Sequence, residues 1–267
     1  MTAPELSYYN IANGITSFST TRHGGCSRGN YGEFNINEYC GDEAEAIKEN
    51  RKALAAELGI DADHMIIPHQ THGIETRQIA EDFLSLPENI RKMILEGVDA
   101  VMTNIKGVCV GVSTADCIPI LLYDPEHEAV CAVHAGWRGT VARIVIKAVT
   151  EMRLAYQTTP SDLKAVIGPG ISLDAFEVGN EVYEEFSNAN FEMDAISKQM
   201  KVTGTDFEYK WHIDLKECNR RQLLQCGINE ENILVSDVCT YNNVEDFFSA
   251  RRLGTASGRI YSGIIIR

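Results

Sequence analysis

The stretch VCVGVSTADCIPILLYDPEHEAVCAVHAGWRG, residues 108–139, decides how the chain is read. Its apolar runs at 108–112, 118–123 and 129–133 are short, rich in β-branched residues and separated by breaks, so three strands are expected. Asp124 and Pro125 supply the turn between the second and third. Cys117 follows the first run across the break at Thr114, Ala115 and Asp116, and His134 closes the third run. A thiol and an imidazole held at neighbouring strand ends can share a metal or work as nucleophile and base.

Working outward, the spacing of Val141, Ile144, Val145, Ala148, Val149 and Met152 predicts one long helix over 140–156, starting directly after the HAGWRG turn. The turn's backbone N–H groups and Arg138 would then lie at a helix N-terminus, a place suited to an anion. Upstream, 98–102 reads as a strand. In MIIPHQTHGIETRQIA, residues 65–80, a short strand ends before His69 and His72, and another resumes at Ile74. Residues 42–58 form a helix by pattern, with Asp42 as N-cap, Ile47, Leu54 and Leu58 on one face, and Gly59 as the stop. TTRHGGCSRGNYGEFNI, residues 20–36, reads as a glycine-rich loop with mobile backbone and anion-binding potential. Without a following Lys-Ser/Thr it carries no phosphate signature by itself. Downstream, strands are expected at 164–167, 211–213, 233–238 and 260–266, helices at 179–186 and 215–225, and a loose excursion at 187–206. No repeat or linker divides the chain, so one α/β domain over residues 1–267 with a mixed sheet is the economical expectation.

Composition narrows the class. Against 24 basic residues stand 38 acidic ones, a net charge of −14, which argues against a nucleic-acid backbone as partner. No apolar run is long enough to span a bilayer and the start has no leader pattern, so a cytoplasmic protein is expected. Eight cysteines without a CxxC pair do not make a disulfide framework, and most read as buried small hydrophobes. Cys117, next to Asp116 at a break, is the exception. With His72 and His134 it would make a three-ligand set of the kind catalytic zinc uses, leaving a fourth position for water. Residue types alone leave open whether the three meet, form a catalytic pair or are ordinary core residues.

The strings PHQTHG, TADCIPILLYDP, AVHAGWRGT, IGPGI and SARR followed by SGR resemble those of the YfiH family, also described as the peptidoglycan-editing-factor, laccase-domain or purine nucleoside phosphorylase family. The resemblance runs from Ser19 to Arg259. It implies a single α/β domain of α+β type, a layered sandwich with mixed β-sheets similar to the deamidase domain of cytotoxic necrotizing toxins. It implies one zinc ion on His72, Cys117 and His134. It also implies phosphorolysis of adenosine, inosine, guanosine or methylthioadenosine to base and ribose 1-phosphate or its methylthio analogue, and hydrolytic deamination of adenosine. Two departures touch the glycine loop: GGCS stands where the family usually has GGVS, and EFNIN replaces an SLN-type segment.

Within that reading, His69 and Asp116 are the candidates to move protons at the purine, beside Cys117 in the centre itself. Arg22, Arg138 and Arg251 suit a phosphate dianion, and Asn35 and Glu177 suit ribose or base. Arg252 is expected in a salt bridge. The partners are then a purine nucleoside and phosphate, with no nucleic acid, no membrane and the oligomeric state open. Two rivals stand beside it. A metal-free cysteine hydrolase or amidase, with Cys117 as nucleophile and His134 as base, would suit peptidoglycan-precursor editing. A copper-dependent polyphenol oxidase is disfavoured, because the chain's seven histidines include no His-x-His pair. A structural zinc would need a fourth ligand, for which Cys239 is the residue to inspect.

Overall fold

The computed structural model describes residues 2–201 and 208–267. In chain order its elements are β1 (Leu6–Tyr9), β2 (Ile15–Thr20), α1 (Ala44–Leu58), β3 (Met65–Ile66), β4 (Glu75–Gln78), α2 (Glu81–Ser85), α3 (Glu88–Ile94), β5 (Val98–Thr103), β6 (Cys109–Thr114), β7 (Ile118–Asp124) and β8 (Ala129–Ala135). There follow α4 (Trp137–Val141), α5 (Ile144–Tyr156), β9 (Lys164–Ile167), β10 (Glu177–Val178), α6 (Asn180–Asn188), α7 (Met193–Ile196), β11 (Ser197–Lys201), β12 (Tyr209–Ile213), α8 (Leu215–Gln225), β13 (Ile233–Val235), α9 (Ala250–Leu253) and β14 (Ile260–Ile266).

The three strands of the central stretch do not share a sheet. β6 lies in a five-stranded sheet of order β1-β2-β14-β6-β3, whereas β7 and β8 lie in a six-stranded sheet of order β13-β9-β7-β8-β5-β4. Both are mixed, since β3 runs parallel to β6, β4 to β5 and β13 to β9 while their other pairs are antiparallel. Side-chain alternation builds two cores around each sheet. Val110, Val112, Ile264 and Ile266 meet Leu121, Tyr123, Val130 and Ala132 between the sheets. The alternate residues Cys109, Tyr261 and Ile265 face Leu54 and Leu58 of α1. On the far side Ile120, Leu122, Cys131 and Val133 face α5 and α8. Among the described residues the order of layers is therefore helix, sheet, sheet, helix, with a small antiparallel sheet β10-β12-β11 at the side. Every residue of β5 to β8 and β14 is buried, so these strands read as continuous apolar runs rather than alternating ones.

Several local expectations change. The helix expected over 140–156 is two pieces, because Arg143 adopts a left-handed φ of 64° between α4 and α5. Its guanidinium fixes that turn by donating to Ala189 O at 2.8 Å and lying 3.7 Å from the Phe191 ring centroid. Asp42 does not cap α1; its Oδ2 accepts from Ser27 and Asn35 instead, while Gly59 stops the helix in left-handed geometry as expected. The strand expected to 238 ends at Val235, and the carbonyls of Ser236 and Val238 accept from the buried Lys216 Nζ, both at 2.7 Å. The excursion at 187–206 contains α7 and β11, a polar strand with no sequence period to betray it; the excursion's end, 202–206, lies outside the described residues. No helix among the described residues is long and apolar enough to cross a membrane.

Leu121 is sealed between the two sheets at 1% exposure, so Leu121→Ala should cost about 2–5 kcal/mol in urea denaturation. Leu154, 75% exposed, should cost within about 0.5 kcal/mol when truncated the same way.

Candidate metal centre and substrate cleft

Two crossings from one sheet to the other build the site. Residues 67–74 carry the chain from β3 to β4, and residues 115–117 carry it from β6 to β7. The first crossing holds His72 and the second holds Cys117. His134 comes from β8, where Ala135 pairs with Ile118, so Gly136 lies beside Cys117. The donor atoms of His72, Cys117 and His134 fall within 4.8 Å of one another. Gly136 forms the floor: a Cβ there would sit 2.9 Å from His72 Cδ2 and 3.1 Å from Cys117 Sγ. The absent methyl leaves the three donors room to converge.

The buried Asp99 of β5 organises this arrangement. Its Oδ1 accepts from His134 Nδ1 at 2.7 Å and from the His72 backbone N–H at 3.0 Å. Oδ2 accepts from the N–H groups of Thr71 at 3.1 Å and Gly73 at 2.8 Å. One carboxylate thus fixes the His72 loop and orients a second ligand. Because a carboxylate only accepts, Nδ1 of His134 carries its proton and Nε2 is left as the donor atom for a metal. His72 itself has a φ of 64°, a conformation unfavourable for a non-glycine residue, held in place by these bonds.

Electrostatics follow from the same contacts. Burial works to raise the Asp99 carboxyl, but the His134 ring and the Gly73 and Thr71 N–H groups outweigh it, leaving its pKa below the ordinary aspartate value. Burial likewise works to raise the Cys117 thiol, yet the charge and hydrogen bond of His134, joined by His72, pull its pKa well below normal. His134 moves up in turn: burial alone would lower it, and Cys117 and Asp99 together more than reverse that. A thiolate with two imidazoles is a donor set suited to a borderline-soft cation such as zinc.

The three ligands open onto a cleft of about 270 Å³ that His69, Gln70, Tyr39, Asn37, Ser113 and Arg259 also line. Among the described residues no carboxylate lines it, although the chain carries 38. His69 Nδ1 donates to Glu96, with the two carboxylate oxygens at 2.8 and 2.9 Å, and its ring stacks on Tyr39 at a centroid distance of 4.0 Å. Gln70 spends its amide on Ser113, donating to the backbone O at 2.8 Å and accepting from the backbone N–H at 2.7 Å. That pair ties the first crossing to the end of β6.

The other expected site residues stand outside the cleft lining. Asp116, with a φ of 83°, accepts from Thr240 Oγ1 at 2.8 Å and from the Arg251 N–H at 2.7 Å, so both its oxygens pin the second crossing. Arg251 also donates to Glu177 O, which places this arginine and the exposed Glu177 together on the rim of the small sheet. Asn35 is buried, bonded to Asn37, Cys40, Asp42 and the Arg259 N–H. Arg22 donates to Gly32 O and Val244 O and lies over Phe248. Arg138 is exposed and stacks on Trp137 at 4.2 Å. Arg252 stacks on Tyr241 and donates to its carbonyl, in place of the expected salt bridge. In the glycine loop the N–H groups of Gly24, Cys26 and Ser27 are taken by Glu33 and Asn50, so the backbone is occupied rather than open to an anion. Cys239 accepts from Ser172 and stands outside the metal cluster.

Sequence reading missed Asp99, Glu96, Gln70 and Arg259. Gln70 and Arg259 lie in the strings PHQTHG and SGR, and Asp99 stands out as an acid inside the apolar run VDAVM.

A family model described as multi-copper polyphenol oxidoreductase laccase matches residues 16–267. The chain belongs to that family. It is 46% identical over 252 residues to a purine nucleoside phosphorylase of Bacteroides thetaiotaomicron, covering 94% of this chain and 92% of that protein. It is 41% identical over 260 residues to adenosine deaminase RL5 from an unknown prokaryotic organism, covering 97% of each. Among solved structures, the Bacillus licheniformis hypothetical protein YfiH superposes with a TM-score of 0.88 at 28% identity, over 99% of this chain and 97% of that one.

Asp99→Asn keeps the shape but removes the paired acceptors, so metal affinity in a chelator competition should fall about 10- to 100-fold. Gly136→Ala should lower the metal content measured by elemental analysis of the folded protein, because its methyl occupies the space between His72 and Cys117.

Proposed function

We propose that this chain is a zinc-dependent enzyme of purine nucleosides. It would cleave adenosine, inosine, guanosine or methylthioadenosine with phosphate, giving free base and ribose 1-phosphate or its methylthio analogue, and hydrolytically deaminate adenosine. The observation that carries the proposal is the His72, Cys117 and His134 set opening directly onto a cleft, in a chain whose relatives bear the names purine nucleoside phosphorylase and adenosine deaminase. When bound, zinc supplies Lewis acidity, polarising an oxygen and acidifying a water.

The chain's own groups do the rest. Asp99 holds His134 in the tautomer that leaves Nε2 free. Glu96 accepts the hydrogen bond of His69 Nδ1–H, so His69 Nε2 is the atom able to exchange a proton with the purine, and Tyr39 fixes the ring plane. Asp116 acts through position, keeping the Cys117 crossing in its left-handed turn. A thiolate-based centre with eight free cysteines suits a reducing compartment, and we place the protein in the cytoplasm.

The donor set favours zinc over copper. A His₂Cys copper site takes a weak axial ligand such as Met or Gln. No methionine lines the cleft among the described residues, and both ends of the Gln70 amide are engaged by Ser113.

One observation favours a second reading. Cys117, His134 and Asp99 are connected in the order of a nucleophile, base and orienting acid, as in a cysteine hydrolase or amidase. Against it stands His72, a second imidazole on the same sulfur, which a metal requires and a nucleophile does not.

Inosine and adenosine incubated with phosphate and the zinc-loaded protein should yield ribose 1-phosphate and free base by chromatography; no phosphate-dependent product across the common purine nucleosides would sink phosphorolysis. Protein purified without added metal should carry near one zinc per chain, and Cys117→Ser should lose both the zinc and the activity. Full activity after thorough chelation would favour the cysteine hydrolase instead.

A further inference from the structure

We propose that Arg259 is the anchor for the phosphate co-substrate, an inference that rests on the phosphorolysis proposed above. Its position is set by strand register. Ile260, the first residue of β14, pairs with Thr114, the last of β6, so Arg259 lies alongside the crossing that leads to Cys117. It lines the same cleft as the three metal ligands. Among the described residues it is the one arginine or lysine in that lining.

The guanidinium is held by neutral groups. Nη1 donates to Ser257 O at 2.6 Å and Gly258 O at 2.9 Å, with Ser257 Oγ at 3.3 Å, and Nη2 donates to Thr255 O at 2.9 Å. Carbonyls fix the plane without cancelling the charge, as a carboxylate would. Each Nη nitrogen carries two hydrogens and Nε carries one. These bonds therefore leave the Nε–H and a second Nη2–H without a protein acceptor among the described residues. Nε and Nη2 span one edge of the fork, the pairing that meets two oxygens of a phosphate.

The surroundings select an anion. A molecule of net charge −14 keeps carboxylates off this lining; Glu96 and Asp99, which are not part of it, each accept a hydrogen bond from an imidazole, His69 and His134 respectively. The arginines expected to hold phosphate from sequence, Arg22, Arg138 and Arg251, stand outside this lining. In the reaction, one oxygen of hydrogen phosphate bonds to the sugar C1′. The C1′–N bond breaks with its electron pair passing to the base, and the proton of hydrogen phosphate ends on the base. Arg259 holds two of the three oxygens that do not attack.

Two measurements on zinc-loaded protein test this: calorimetric titration with inorganic phosphate alone, and phosphorolysis of inosine over a range of phosphate concentrations. In Arg259→Gln the phosphate Kd and the phosphate KM should both rise about 10- to 100-fold. The inosine KM should move less than about threefold, because a merely structural role for Arg259 would disturb both substrates alike. Arg259→Lys keeps the charge but loses the fork and should fall between; it carries the test if the glutamine variant does not fold. Zinc content must match the parent in each variant. An unchanged phosphate Kd, or a rise confined to the inosine KM, overturns the assignment. If the parent protein performs no phosphorolysis, the proposed reaction fails while the titration still decides whether Arg259 binds phosphate.

Discussion

The carboxylate of Asp99 is the interaction on which the centre depends. It is fully buried, and burying an unpaired charge is costly, so its four hydrogen-bond donors are a condition of its being there at all. Three of those donors are consecutive backbone N–H groups of the loop that carries His72; the fourth is the ring of His134. The satisfaction of one charge thereby dictates a left-handed backbone at one ligand and a tautomer at another. The strain at His72 persists because relaxing it would strip donors from a buried anion.

Asp116 plays the matching part on the other crossing. It too has a positive φ, and its oxygens tie the Cys117 turn to Thr240 and to the start of α9. The two sheets pack face to face, and each of the two crossings that carry His72 and Cys117 is pinned by a carboxylate. A further passage, from β13 back to β14, brings Thr255 and Arg259 to the same cleft. Ligands from three separate parts of the sequence meet where these passages converge. The resulting cleft holds an arginine and no carboxylate among its described lining residues, in a strongly anionic molecule.

Much of this was legible in the order of residues. The strand runs of 108–139 were visible because buried strands are short and apolar, and Cys117 and His134 stood out because each marks the end of such a run. The ligand trio and the layered mixed sheets came with the family strings, and the geometry agrees with both. Where the arginines expected to hold phosphate stand was not legible for one physical reason: a charged side chain near a glycine loop or helix start looks available, and nothing local reveals a bond to a carbonyl 222 residues away, such as that of Arg22 to Val244, outside the cleft lining. The same holds for Asp116, whose donors Thr240 and Arg251 are remote in sequence, whereas most partners of Asn35 lie within seven residues of it.

The sequence by itself marked the buried strands, the helix expected over 42–58 with its glycine stop, and Cys117 and His134 as reactive groups at strand ends, since hydrophobic period and side-chain chemistry are local properties; the full ligand trio came with the family resemblance. It did not determine that β6 and β7 belong to different sheets, because two adjacent buried strands read the same whether they pair or part. Nor did it assign the arginine that faces the cleft or the acid that holds the centre together. Those were decided by packing: only the folded chain fixes which polar groups exhaust one another's hydrogen bonds, and so which of them, like the outer edge of Arg259, are left over for a ligand.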